Sequence, residues 1–157
     1  MAETIPVNGR ATKSKSAFRM AYAVGTNIKA TPERVWALLT NAKDFPRWNS
    51  TIQNIEGEIA RGQTIKLYVK VAPGRAFKLV VTEFTPPTNM VWRAGNFIFR
   101  GVRTYTLTPK PDRSTDFTMS EVFSGVMLPL IAGSLPDFGP EFEKYAADLK
   151  QEAEKGN

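Results

Sequence analysis

Apolar residues recur at every second position through most of this chain and then, from Phe138 onward, at helical spacing. Ile65, Leu67, Val69 and Val71 share one face of a run whose other face carries Lys66, Tyr68 and Lys70. Phe77, Leu79 and Val81 continue the inner face beyond Ala72-Pro73-Gly74-Arg75. Side chains alternate across a strand, so this is the pattern of a sheet with one buried face. Pro73 and Gly74 suit the central positions of a type II turn, and Arg61-Gly62, Pro86-Pro87-Thr88-Asn89 and Pro109-Lys110-Pro111-Asp112 punctuate the run similarly. Past them, Phe138, Phe142, Tyr145, Ala146, Leu149 and Ala153 form one helical stripe, with Gly156 as the expected stop. Pro140 cannot donate to a preceding turn, which predicts a kink ahead of this helix. Antiparallel strands cannot bury a concave face by themselves, and one long amphipathic helix is the natural cover.

The sequence ahead of these strands divides in three. Residues 1–16 are small and polar without periodicity, the composition of a disordered leader. Phe18, Met20, Tyr22, Val24, Thr26 and Ile28 then alternate as a first strand. Thr31 is a good N-cap, Pro32 suits the first helical position, and Glu33 places a carboxylate where the helix dipole favours it. Val35, Trp36, Leu38 and Leu39 supply an apolar face, and Pro46 breaks the pattern before Trp48. Two short helices are therefore expected over 31–49, with Trp36 and Trp48 as their anchors against the sheet. Ile52 falls out of phase with Ile55 and Ile59, which predicts a β-bulge. The fold class is α+β: a curved antiparallel sheet of about seven strands around a long C-terminal helix, with two short helices after the first strand. Residues 17–155 are expected to form a single domain.

Four segments carry a family resemblance: Ala30 to Asn49, Gly101 to Pro109, Glu121-Val122-Phe123-Ser124-Gly125, and Phe142 to Lys150. Together they resemble the START-like or SRPBCC helix-grip superfamily, over about 25–154. That superfamily includes polyketide cyclases and aromatases, lipid-transfer domains and birch-pollen-type allergens. The resemblance implies a helix-grip fold whose central cavity takes a hydrophobic small molecule, lipid-, polyketide- or aromatic-like.

Composition narrows the chemistry. Neither cysteine nor histidine occurs. Disulfides, thiol nucleophiles, zinc sites of Cys and His, and Ser-His-Asp triads are thereby excluded. Any proton transfer falls to carboxylates, Tyr, Lys or Arg. No clustered Asp pattern suggests a metal site, and no cofactor is expected. The net charge is +6, part of it on Arg10, Lys13 and Lys15 of the leader. The remaining cations stand singly along strands, as Lys66, Lys70, Arg75, Lys78, Arg93 and Arg100 do. That spacing reads as a solubilising surface, so no nucleic-acid partner is expected. No apolar run approaches a membrane span and the N-terminal residues lack a signal-peptide core, so a cytoplasmic location is expected.

The last hairpin supplies the candidate site. If its turn centres on Asp112, Leu107 faces Phe117, Tyr105 faces Met119, Arg103 faces Glu121 and Gly101 faces Phe123. All eight share one otherwise apolar face. Arg103 and Glu121, with the Tyr105 hydroxyl nearby, form the polar constellation of the expected cavity. Its apolar lining is expected from Phe77, Trp92, Phe99, Phe117, Met119, Phe138 and Phe142, with Met20, Met90, Phe97 and Phe123 as further candidates. The segment Leu135 to Pro140 is the candidate gate. A buried ion pair that fixes strand register and a polar anchor for a ligand both explain Arg103 and Glu121. Three functions compete: a binder of hydrophobic small molecules, a polyketide cyclase or aromatase using Glu121 or Tyr105 as acid and base, and a protein-interaction module like the heat-shock ATPase activators of this fold. The last predicts an exposed apolar patch or charged rim that binds a partner, and a cavity below about 300 Å³, small for a ligand site.

Overall fold

A computed structural model of the protein describes residues 4–155. Eight strands form one antiparallel sheet: β1 (Thr12–Ser16), β2 (Arg19–Ile28), β3 (Ile52–Glu56), β4 (Thr64–Val69), β5 (Ala76–Thr85), β6 (Asn89–Gly95), β7 (Arg100–Pro109) and β8 (Thr115–Ser124). Their spatial order is β1-β2-β8-β7-β6-β5-β4-β3, so β2 and the meander from β3 to β8 close on each other through the β2–β8 pair. The helices are α1 (Pro32–Thr40), α2 (Phe45–Trp48), α3 (Leu128–Ile131) and the long α4 (Gly139–Glu154).

Local chemistry accounts for most of these boundaries. The Thr31 side chain accepts a hydrogen bond from Arg34 N at 3.3 Å, and Pro32 opens α1 as expected of an N-cap followed by proline. Val35, Trp36, Leu38 and Leu39 are buried, and Trp36 packs on Phe84. Trp48 meets Phe45 and Tyr145, fixing α2 against α4. The pairing of β3 with β4 shifts register between Ile52 and Asn54, where the phase of the isoleucines requires it. Gly74 has φ of 78°, which the turn between β4 and β5 needs and which glycine adopts without strain.

Before α4 the chain runs through α3 and a 3₁₀ turn (Ala132–Ser134), then extends at Leu135. Pro140 lies in the first turn of α4, where its missing N–H costs nothing. Phe142, Tyr145, Ala146, Leu149 and Ala153 are buried along α4. Phe142 and Leu149 each contribute about 2 kcal/mol by leaving water.

The structure corrects the sequence at two points in its first twenty residues. Thr12–Ser16 form an edge strand paired with β2 rather than part of a disordered leader. Residues before them are also tied down: Gly9 N donates to Gly25 O at 2.7 Å, and Ala11 N donates to Glu143 Oε2 at 2.9 Å. Phe18, expected on the inner face, stands in the turn before β2 and is exposed. The first three residues of the expected leader, and the expected stop at Gly156, lie outside the described residues. No described helix is long and apolar enough to cross a membrane.

Candidate functional site

The β7–β8 hairpin has the expected register throughout: Leu107 pairs with Phe117, Tyr105 with Met119, Arg103 with Glu121 and Gly101 with Phe123. Its turn is pinned by Lys110 N donating to Ser114 O at 2.9 Å and by Asp112 accepting from Ser114 N at 3.0 Å. Arg103 and Glu121 therefore lie side by side on the concave face. Arg103 Nε donates to Glu121 Oε2 at 2.6 Å, and the side chains are only 10% and 12% exposed. The guanidinium also lies 5.4 Å from the centre of the Phe142 ring of α4.

A chain of phenols continues from the pair. Arg103 Nη1 lies 3.5 Å from the Tyr105 hydroxyl, which accepts from the Tyr145 hydroxyl at 3.2 Å. Burial pushes the Tyr105 pKa up, with Arg103 partly opposing it. Burial, reinforced by Tyr105, lifts Tyr145 well above the ordinary phenol range. Burial alone would favour a neutral Arg103, but the adjacent Glu121 carboxylate outweighs it and the guanidinium stays charged.

A cavity of about 240 Å³ opens beside this pair. Leu67, Val69, Phe77, Leu79, Phe99, Phe123 and Phe138 supply its apolar walls, and Leu135 and Pro136 border it from the segment ahead of α4. Arg103 and Glu121 form its polar wall. Gly101 keeps that wall open: a Cβ there would stand 3.6 Å from Glu121 Oε1 and 3.5 Å from the Phe123 ring. A second void of about 20 Å³, room for a single water, lies behind Arg103 and Phe138.

Of the residues singled out from the sequence, Phe77, Phe99, Arg103, Glu121, Phe123 and Phe138 come together around the cavity. Met119 and Phe142 line the small void instead. Trp92, Tyr105 and Phe117 line neither. They pack with Tyr145 into an aromatic cluster: Trp92–Tyr105 centroids are 4.9 Å apart, and Phe117 stacks on Tyr145 at 6.3 Å. That cluster fills its half of the concave space and confines the cavity to the other half. Met20 and Met90 are core residues, and Phe97 is 73% exposed.

Arg75 and Lys78, read from the sequence only as surface cations, stand at the cavity rim, where Arg75 lies 4.9 Å above the Phe77 ring. Their only sequence signal is proximity to the β4–β5 turn.

The family model described as polyketide cyclase / dehydrase and lipid transport matches residues 20–154. Among curated proteins, none matches the chain. Solved structures share its fold at low identity. The di-domain ARO/CYC BexL from the BE-7585A biosynthetic pathway superposes with a TM-score of 0.69 at 12% identity, covering 91% of this chain and 52% of that one. A norcoclaurine synthase point mutant from Thalictrum flavum in complex with a transition state analogue gives 0.65 at 13% identity, covering 89% and 97%. A START superfamily protein from Mycobacterium smegmatis gives 0.63 at 17% identity, covering 87% and 99%.

Proposed function

The chain belongs to the polyketide cyclase / dehydrase and lipid-transport family, and from that premise we propose that it binds a small hydrophobic molecule in the cavity beside Arg103 and Glu121. The observation that carries this reading is a space of about 240 Å³ with apolar walls and one buried, hydrogen-bonded ion pair. Apolar walls supply affinity and a few convergent polar groups supply orientation. Burying about 300 Å² of ligand surface gains about 7 kcal/mol, of which association costs remove a large part. Micromolar binding is the natural outcome.

The ion pair also limits what the ligand can present to it. Glu121 already neutralises Arg103, and a ligand carboxylate would have to compete with it in a desolvated site. A neutral oxygen, ketone or hydroxyl, accepts from the guanidinium or donates to Glu121 Oε1 without that conflict. The segment Leu135 to Pro140, of which Leu135, Pro136 and Phe138 border the cavity, would form the gate.

The cyclase reading keeps Glu121 as its acid–base group, since Tyr105 lies outside the cavity and its phenol resists ionisation. The interaction-module reading draws on a cavity whose volume of about 240 Å³ falls below the size of about 300 Å³ that separates the two readings, and on exposed apolar loops. Fluorescence of N-phenyl-1-naphthylamine tests the primary reading. The wild-type chain should enhance it with micromolar affinity, and Gly101→Leu, which fills the cavity, should weaken binding at least tenfold at unchanged melting temperature. No enhancement, or equal binding by the variant, would remove the ligand role.

A further inference from the structure

Six of the eight large apolar side chains that the described residues expose fall on three connecting segments at one end of the sheet, the last of them running into α3: Phe18, Phe97, Ile98, Val126, Met127 and Leu130. The extreme values are 73% for Phe97 and 77% for Leu130. Backbone bonds tie the loops together. Gly125 N donates to Phe18 O at 3.3 Å, Val126 N to Phe97 O at 3.3 Å, and Met127 N to Ile98 O at 3.0 Å. The apposition is tight enough that a Cβ on Gly125, whose φ is 133°, would collide with the Ile98 carbonyl. Side chains this apolar, held on a braced platform, mark an interaction surface.

Charge identifies the partner. Residues 17–19, 95–100 and 124–131 contain no Asp or Glu, and they contribute Arg19 and Arg100. Both arginines are exposed, and both pair in register with Ser124, so they lie in one row across β2, β8 and β7. Neither makes an ion pair among the described residues. A second copy of the chain docked symmetrically would bring these cations against their own counterparts with no loop carboxylate to offset them. An anionic surface accepts both.

The loop backbones favour a lipid over a protein. Leu128 N donates to Gly125 O at 3.2 Å, Leu130 N to Met127 O at 3.1 Å, and Ile98 N to Asn96 Oδ1 at 2.9 Å. Polar groups satisfied within the loops can enter an acyl boundary, where unpaired ones are costly. Gly95 and Phe99 of the same loops also border the cavity.

We propose that this end of the molecule docks on an anionic lipid surface, with Phe97 and Leu130 inserted at the headgroup boundary and Arg19 and Arg100 against lipid phosphates. Passage of a ligand between membrane and cavity would follow, and that corollary alone rests on the binding role proposed above.

Co-sedimentation with vesicles tests the docking. The chain should bind phosphatidylcholine vesicles containing phosphatidylglycerol at least tenfold more tightly than phosphatidylcholine alone, at about 0.1 M salt. Phe97→Ser/Leu130→Ser leaves every charge in place and should lose at least tenfold, with an unchanged circular dichroism spectrum. Arg19→Gln/Arg100→Gln should lose a similar factor on the anionic vesicles only. Equal binding by the serine variant would reduce the effect to adsorption of a basic protein and overturn the proposal. Absence of vesicle binding would overturn it in favour of a protein partner, and a wild-type dimer abolished by the serine variant would do so in favour of self-association. Naphthylamine fluorescence is read separately, so failure here leaves the cavity role standing.

Discussion

Arg103 and Glu121 answer to two demands at once. Their side chains are only 10% and 12% exposed, so each charge depends on the other for the solvation that water no longer provides. Removing one partner leaves a buried charge uncompensated, whereas replacing both with apolar groups removes the problem. Glu121→Ala should therefore destabilise the fold by about 3 kcal/mol, and Arg103→Met/Glu121→Leu should fall within about 1 kcal/mol of wild type. Urea denaturation of the two variants checks this, and a loss below about 0.5 kcal/mol in Glu121→Ala would mark the pair as solvated. If the cavity binds as proposed, the double variant should keep its affinity for wholly apolar probes while losing preference for those bearing a ketone or hydroxyl.

At the scale of elements, the edge formed by β1 and the segment before it is held by backbone contacts. Gly25 sits in β2 with the Pro6 carbonyl where a side chain would go: an added Cβ would stand 2.6 Å from Pro6 O. Gly25→Ala should lift the segment around Pro6 to Gly9 while sparing the concave core, and trypsin should then cleave faster after Arg10. Limited proteolysis reads this directly, and an unchanged cleavage rate would show the segment to be loosely held already. The same contacts explain why β1 is illegible in the sequence. All five of its residues are exposed, so no alternation betrays a strand. The β7–β8 register is legible because prolines and Asp112 mark the turn and strict alternation on both sides fixes the phase. Division of the concave space is not. Trp92, Tyr105 and Phe117 share the inward phase of Arg103 or Glu121, and only the docking of Tyr145 from α4 determines which half is filled. Phe97 misleads for a different reason: β6 ends at Gly95 and β7 begins at Arg100, so it belongs to the turn rather than to either strand.

The whole molecule is polarised along its sheet. One end carries the cavity and the exposed apolar loops; elsewhere the Arg47–Glu152 ion pair joins α2 to α4, with local ion pairs on either side of it. Arg47 reaches Asp44 at 2.7 Å and Glu152 at 2.7 Å, Lys155 reaches Glu152 at 3.0 Å, and Lys150 reaches Glu154 at 2.6 Å. Hydrogen bonds from Lys155 and Arg47 hold the Glu152 carboxyl below its usual range, and Arg47 does the same for Asp44. For Glu154, burial acts upward and Lys150 with Lys29 outweighs it. Carboxyls lowered in the folded state contribute stability above their unfolded pKa, about 4, and that contribution disappears as pH falls through the folded values. The buried phenols set the opposite limit. Tyr105 and Tyr145 have raised pKa values, so the unfolded chain ionises first, near pH 10, and stability falls as pH rises beyond that point. Thermal unfolding across pH should therefore show a plateau bounded on both sides, with each limit removable separately. Arg47→Met should lower the plateau and flatten the acid limb, leaving the slope of the alkaline limb unchanged. Tyr145→Phe should flatten the alkaline limb, since one fewer buried proton is lost on unfolding, and leave the acid limb in place. If Tyr145→Phe left the alkaline slope of wild type intact, the phenols would be accessible to water, and the aromatic cluster that confines the cavity to one half of the fold would not be closed.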